Sequence, residues 1–321
     1  MAADVGLCFH REAPASGVVD MARVAERVGY DEFWVIEDCF YTAGVSLAAA
    51  ALTGTTSIDV GIGIMPAVAR NPAITAMEIA TLANLAPGRF HAGIGHGVQE
   101  WMAQMGVRPS SPLTALDETL DVVRRLLRGK TVTVDGATVS MDRVALDAPP
   151  DPVPLVSAGV RGPKSLALSG RAADGTILAD FCSPDYVRWA REQITAGGGG
   201  ADHRLTVFAS ALISPNGTSS RRAMAPFLAN LCEDPPPSLR MAPFFDELAE
   251  TAAKTSWLDV VRSMPVEWWQ QIAPVGSPDD AAIHLQALFD AGADAVAIFP
   301  DETNSAIAAR LFAEQVLPQL R

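Results

Sequence analysis

Three segments, Ile58-Asp-Val-Gly-Ile-Gly-Ile-Met-Pro66, Asn71-Pro72-Ala-Ile-Thr75 and Phe90-His-Ala-Gly-Ile-Gly-His-Gly97, lie within one short stretch of the chain. Residues 58–64 form a short, β-branched apolar run, which predicts a strand. Pro72 suits the first position of a helix, and the apolar pattern of 74–85 continues it. Pro87-Gly88 makes a turn, and 89–95 is again a strand. Two such strands joined by a helix predict a parallel pair, because parallel neighbours need a crossover connection.

The same alternation extends both ways. Upstream, the pattern predicts strands over 5–9 and 32–36 and helices over 18–28 and 45–52, with Gly29 stopping the first helix. Downstream it predicts a helix over 113–127 and a small hairpin around Asp135-Gly136. Strands over 154–158, 175–179, 205–213 and 293–299 follow, with helices over 163–172, 184–195, 278–291 and 305–317. Residues 216–275 read as short helices broken by Pro235-Pro-Pro237, Pro243 and Pro265. Eight strand–helix units predict an α/β fold, a (β/α)8 TIM barrel. The chain is then one domain over 1–321, with 216–275 a helical insertion between the seventh and eighth strands covering the barrel mouth. A doubly wound sheet is the alternative, but the first strand is followed by His10-Arg-Glu-Ala-Pro14 and not by G-x-G-x-x-G.

Composition narrows the function. Of 321 residues, 49% are hydrophobic and 19% charged, enough apolar surface for a large core. The net charge is −13 and no Lys/Arg run exceeds two, so a nucleic-acid surface is not expected. No apolar run reaches the ~20 residues of a membrane span. Met1-Ala-Ala-Asp-Val-Gly-Leu7 lacks the basic and apolar regions of a signal peptide, and Cys8, Cys39, Cys182 and Cys232 form no C-x-x-C pair. The expectation is a reduced, cytoplasmic protein with no structural metal. P-loop, nucleophile-elbow and H-E-x-x-H motifs are all missing.

A barrel puts its chemistry where strands end, at the C-terminal face. The segment Ala158-Gly-Val-Arg-Gly-Pro163 ends one strand and opens a helix. Its backbone N–H groups and helix dipole would hold an anion, with Arg161 adding a charge; an ordinary glycine-rich turn is the alternative. In Gly95-His96-Gly97, glycines let backbone approach a flat ligand, and His96 titrates near neutrality; a loop-bonded His is the alternative. Glu100 is a second possible acid. Glu37-Asp38 end a hydrophobic strand, where alternation sends one carboxylate to the mouth; Asp38 could accept hydrogen bonds from a heterocycle, and a helix N-cap or a structural pair with an Arg is the alternative. Cys39 reads as inert packing.

Taken together, these strand ends resemble the bacterial-luciferase-like superfamily, and within it the coenzyme F-420-dependent oxidoreductases such as methylenetetrahydromethanopterin reductase. The segments that carry the resemblance are Gly29-Tyr-Asp-Glu-Phe-Trp-Val-Ile-Glu-Asp38, Gly61–Thr75, Leu85-Ala-Pro-Gly-Arg-Phe90 with Gly93–Gly97, Ala158–Pro163 with Ala173-Asp174-Gly175, and Ala291-Gly-Ala-Asp294. The resemblance implies a deazaflavin at the barrel mouth, backed by a bulge with a cis peptide at Gly63–Ile64. It implies cofactor contacts from Asp38, Gly63, Ile64, Gly95, His96, Gly97, Ala158, Gly159, Val160, Arg161, Gly162 and Asp180, with His96, Glu100 or Asp38 serving catalysis. Lys164 and, more weakly, Arg70 are further candidates for the anionic tail.

The implied reaction is hydride transfer between the cofactor and a small organic substrate. Cys39 and Val98 stand where the sugar-phosphate dehydrogenase branch has a His and a Glu, which argues against glucose 6-phosphate oxidation. The alternative enzyme is an FMN-dependent monooxygenase of the same superfamily, served by a separate reductase. A barrel that binds a ligand without chemistry is the third reading. The resemblance also implies a homodimer through the helices over 45–52 and 74–85.

Overall fold

The computed structural model describes residues 4–179, 181–301 and 305–320. Its strands are β1 (Asp4–Phe9), β2 (Glu32–Val35), β3 (Asp59–Pro66), β4 (Phe90–Gly95), β5 (Val132–Asp135), β6 (Ser140–Val144), β7 (Leu155–Gly159), β8 (Gly175–Leu178), β9 (Arg204–Ser210), β10 (Leu212–Ile213), β11 (Val275–Gly276) and β12 (Ala295–Phe299). Eight of them close a barrel in the order β1-β12-β9-β8-β7-β4-β3-β2, and every pair in it is parallel. The chain is an α/β TIM barrel, as the alternating pattern predicts.

Helices follow the strands and cover the outside. The helix Val18–Val28 stops where Gly29 turns left-handed at φ 91°. The helix Pro72–Leu85 starts at Asn71, whose side chain accepts the Ala73 N–H at 2.9 Å. Pro163–Ala172 also begins on a proline, but Gly162 before it gives no side-chain cap. Among the described residues, no helix is long and apolar enough to cross a membrane, and no cluster of potential ligands could hold a metal ion.

Two features depart from the sequence reading. The stretch 205–213 is not one strand: β9 ends at Ser210, and Leu212–Ile213 leaves the barrel to pair with β11. A short helix, Gln99–Gln104, follows β4. Between β10 and β11 the chain forms the helices Thr218–Leu231, Pro237–Arg240, Phe245–Ala252, Trp257–Arg262 and Val266–Ile272. They share a core that includes Leu228, Leu239, Leu248, Val261 and Trp269, with Phe181 joining it from beyond β8. Trp268 stacks on Phe244 at 4.6 Å, within that cluster.

The barrel interior is filled from below. Glu32 is buried, accepting from Trp34 Nε1 at 2.8 Å and from Arg204 at 2.6 Å; Arg204 also reaches Asp4 at 2.7 Å. Above them Cys8, Trp34, Ile36, Ile177, Phe208 and Ala297 form the inner core, with Trp34 and Phe208 edge to face at 5.3 Å. At the C-terminal end this packing stops short and leaves the site.

Candidate active site

A cavity of about 590 Å³ opens at the C-terminal ends of the strands. Its floor is made by β3. The register shifts between Ile62 and Met65, and the Gly63–Ile64 peptide is cis. That break turns the Ile64 side chain across the barrel, over glycines that leave room for it. A Cβ on Gly95 would lie 2.2 Å from Ile64 Cδ1, and one on Gly159 would lie 2.7 Å from Ile64 Cγ2. A Cβ on Gly63 would meet the Phe208 ring at 2.5 Å. The three glycines therefore let backbone and one isoleucine form a low surface. Phe208, Phe299, Ile36 and Ile177 form its apolar wall.

At one end the cavity meets the loop from β7 to the helix Pro163–Ala172. Gly159, Val160, Arg161, Gly162 and Ser165 line it there. Lys164 and Ser165 belong to the first helical turn, whose N–H groups have no partner within the helix. A Cβ on Gly162 would meet nothing within 4 Å, so the approach to that turn is open. Arg161 is exposed and makes no ion pair among the described residues, and the loop is held from behind by Tyr186, which donates to the Arg161 carbonyl at 2.7 Å. These are the donors an anion needs. With the low floor, they fit a flat ring carrying a phosphate arm.

At the other end stand the two carboxylates. Glu37 faces inward and is 8% exposed; both its oxygens are taken by Arg70, and Gly44 N–H donates to it at 2.9 Å. Arg70 also reaches Glu78 at 3.1 Å. Arg70 is thus committed to this pair and is not available to an anionic tail, contrary to the sequence reading. Asp38 sits at the rim, held by Arg11 Nη1 at 2.5 Å, and that guanidinium lies 4.7 Å above the Tyr41 ring. Cys39 is shielded, and burial with the charges of Glu37 and Asp38 pushes its thiol up, consistent with inert packing.

His96 lines the cavity but is not built as an acid. Its Nδ1 lies 3.1 Å from the Pro112 carbonyl, which can only accept, so Nδ1 carries the proton. Nε2 is 3.0 Å from Ser165 Oγ and accepts from it. Burial lowers the His96 pKa against the pull of the Pro112 carbonyl. The ring ties the β4 loop to the helix at Ser165.

The structure therefore brings Asp38, Gly63, Ile64, His96, Gly97, Gly159, Val160, Arg161 and Gly162 to one cavity. It does not bring Gly95, Ala158 or Glu100 there. Gly95 lies beneath Ile64 as support. Ala158 is fully buried on the opposite face of β7 from Gly159, as strand alternation requires. Glu100 is exposed on the helix Gln99–Gln104 and does not line the cavity. Asp180 lies outside the described residues. Sequence reasoning missed Ser165, Phe208 and Phe299. Ser165, three residues past Gly162, carried a usable signal; the two phenylalanines look like any core residue.

The family described as luciferase-like monooxygenase matches residues 4–295. A 5,10-methylenetetrahydromethanopterin reductase from Methanolobus tindarius is 26% identical over 324 residues, covering 97% of this chain and 99% of that one. An F-420-dependent glucose-6-phosphate dehydrogenase from Kineococcus radiotolerans is 26% identical over 336 residues, covering 95% and 93%. The solved structure of the coenzyme F-420-dependent tetrahydromethanopterin reductase from Methanopyrus kandleri superposes with a TM-score of 0.83 at 20% identity, over 100% of both chains. Barrel, floor and match together identify the chain as a member of the luciferase-like monooxygenase family.

Proposed function

We propose that this chain is a coenzyme F-420-dependent oxidoreductase, passing a hydride between carbon 5 of the deazaflavin and a small organic substrate with an activated C=C, C=N or C=O bond. The observation that carries this reading is the single cavity that joins a low ring-sized floor at Gly63–Ile64 to an open anion cradle at Arg161–Ser165. Near full-length relatives that use F-420 favour it over FMN.

When bound, the reduced deazaflavin supplies a hydride. The protein's part is positioning. Ile64 and its supporting glycines set the plane; Phe208 and Phe299 keep water from the buried face. Arg161, with the Lys164 and Ser165 N–H groups, would hold the phosphate arm, and His96 keeps Ser165 in place. Asp38, fixed by Arg11, would accept a hydrogen bond from the ring. Water is the proposed source of any proton that the product needs.

The helical segment between β10 and β11 is taken as part of the same domain; its Phe227 packs 5.9 Å from Phe181, beyond β8, while the residues that line the cavity come from other parts of the chain. A homodimer through the helices Gly44–Gly54 and Pro72–Leu85 is supported by the exposed stripe of Ile74, Met77 and Leu85 on the second of these. Four cysteines, none of them in a disulfide among the described residues, suit a reduced cytoplasmic setting.

The test is a titration of the purified protein with F-420 and with FMN, followed by fluorescence. F-420 binds in the micromolar range or tighter, and FMN at least about tenfold more weakly, a difference of ~1.4 kcal/mol. Equal or reversed affinities would replace this reading with the FMN monooxygenase, and binding of neither with a non-catalytic barrel.

A further inference from the structure

Resting on the reading above, the charge distribution around the cavity points to a substrate class, and we propose that the substrate is a neutral molecule with an apolar body, not a phosphorylated or carboxylated one. Of the cations near the mouth, Arg11 is bound to Asp38 and Glu12, and Arg70 to Glu37 and Glu78. Arg161 is the lining cation with no ion pair among the described residues, and it stands at the cradle that takes the cofactor's own phosphate. Once that is filled, no lining cation is left over among the described residues, and the carboxylates of Glu37 and Asp38 are already paired. An anionic group entering there would be desolvated with no free lining cation to pair it, which is how a site rejects a ligand.

The remaining surface is apolar. Val98 and Trp101 line the cavity from the β4 side, Val98 being 45% exposed, and Phe208 and Phe299 line it as well. Large apolar side chains held open at a rim fit a ligand that covers them. Val98 is therefore a specificity-determining residue: it puts an apolar side chain, and not a cation, at the rim.

The experiment uses protein saturated with oxidised F-420, with saturation verified first by fluorescence, and measures binding by calorimetry so that no turnover is needed. The probes are acetophenone and 4-acetylbenzoate, which share a carbonyl and differ in charge. Acetophenone binds at least about tenfold more tightly to the wild-type protein. In Val98→Lys, which places a cation at the rim, that ratio falls at least about threefold because the carboxylate binds better. Equal affinities in the wild type, tighter binding of the carboxylate, or no measurable binding of either overturns the proposal. Failure to take up F-420 in the first step instead removes the functional reading on which it rests.

Discussion

Arg70 and Arg161 look alike in the sequence and behave in opposite ways in the structure. Arg70 neutralises Glu37, a carboxylate only 8% exposed, so Arg70→Met leaves a buried charge without its partner. The expected cost is ~3–5 kcal/mol, seen as a lower denaturant midpoint. Arg161→Met removes an exposed side chain with no ion pair; stability changes by less than ~0.5 kcal/mol while cofactor affinity falls. His96 shows the same limit. Its position between two glycines was legible, but its Pro112 and Ser165 partners lie 16 and 69 residues away in the chain. Because burial lowers the His96 pKa, the kcat profile of His96→Gln above pH 7 keeps the wild-type shape, though its level falls. Charge and side-chain type are written in a sequence; the partner that decides their role is set by packing.

At the scale of elements, the helices Val18–Val28 and Pro163–Ala172 coincide with their sequence reading because their apolar spacing and flanking Gly or Pro are local signals. The run 205–213 misled because its apolar pattern continues while its pairing partner changes from β12 to β11. Likewise Gly159 and Ala158 are adjacent, yet only one faces the mouth, and the register that decides this is a property of the closed sheet. The β7–helix connection offers a test at this scale. Tyr186 is buried, and burial raises its pKa, so its hydroxyl remains protonated and donates to the Arg161 carbonyl. Tyr186→Phe removes one hydrogen bond worth ~1 kcal/mol, lowers the melting temperature by a few degrees and loosens the cradle. Cofactor affinity then drops several-fold, read by the same fluorescence titration, with the far-ultraviolet spectrum unchanged.

For the whole molecule, folding stability depends on pH through buried histidines. His203 and His284 are pushed down to about 4, His203 by burial first and then by the Arg191 charge, and His284 by complete burial. Between about 4 and the unfolded value near 6.5, the unfolded chain binds protons that the folded chain does not. Stability is therefore full above pH 6.5 and is lost as pH falls toward 4, by on the order of 3 kcal/mol per group. Melting curves from pH 7 to 4.5 follow that slope, and His284→Phe makes it shallower. The same closed architecture makes the cavity a single site shared by ring, phosphate arm and substrate. A crystal structure of the protein with F-420 bound tests this most directly: the account requires the ring against Ile64 and the phosphate hydrogen-bonded to the Lys164 and Ser165 N–H groups beside Arg161. A ring seated away from the Gly63–Ile64 bulge, or a phosphate held by other residues, would contradict it.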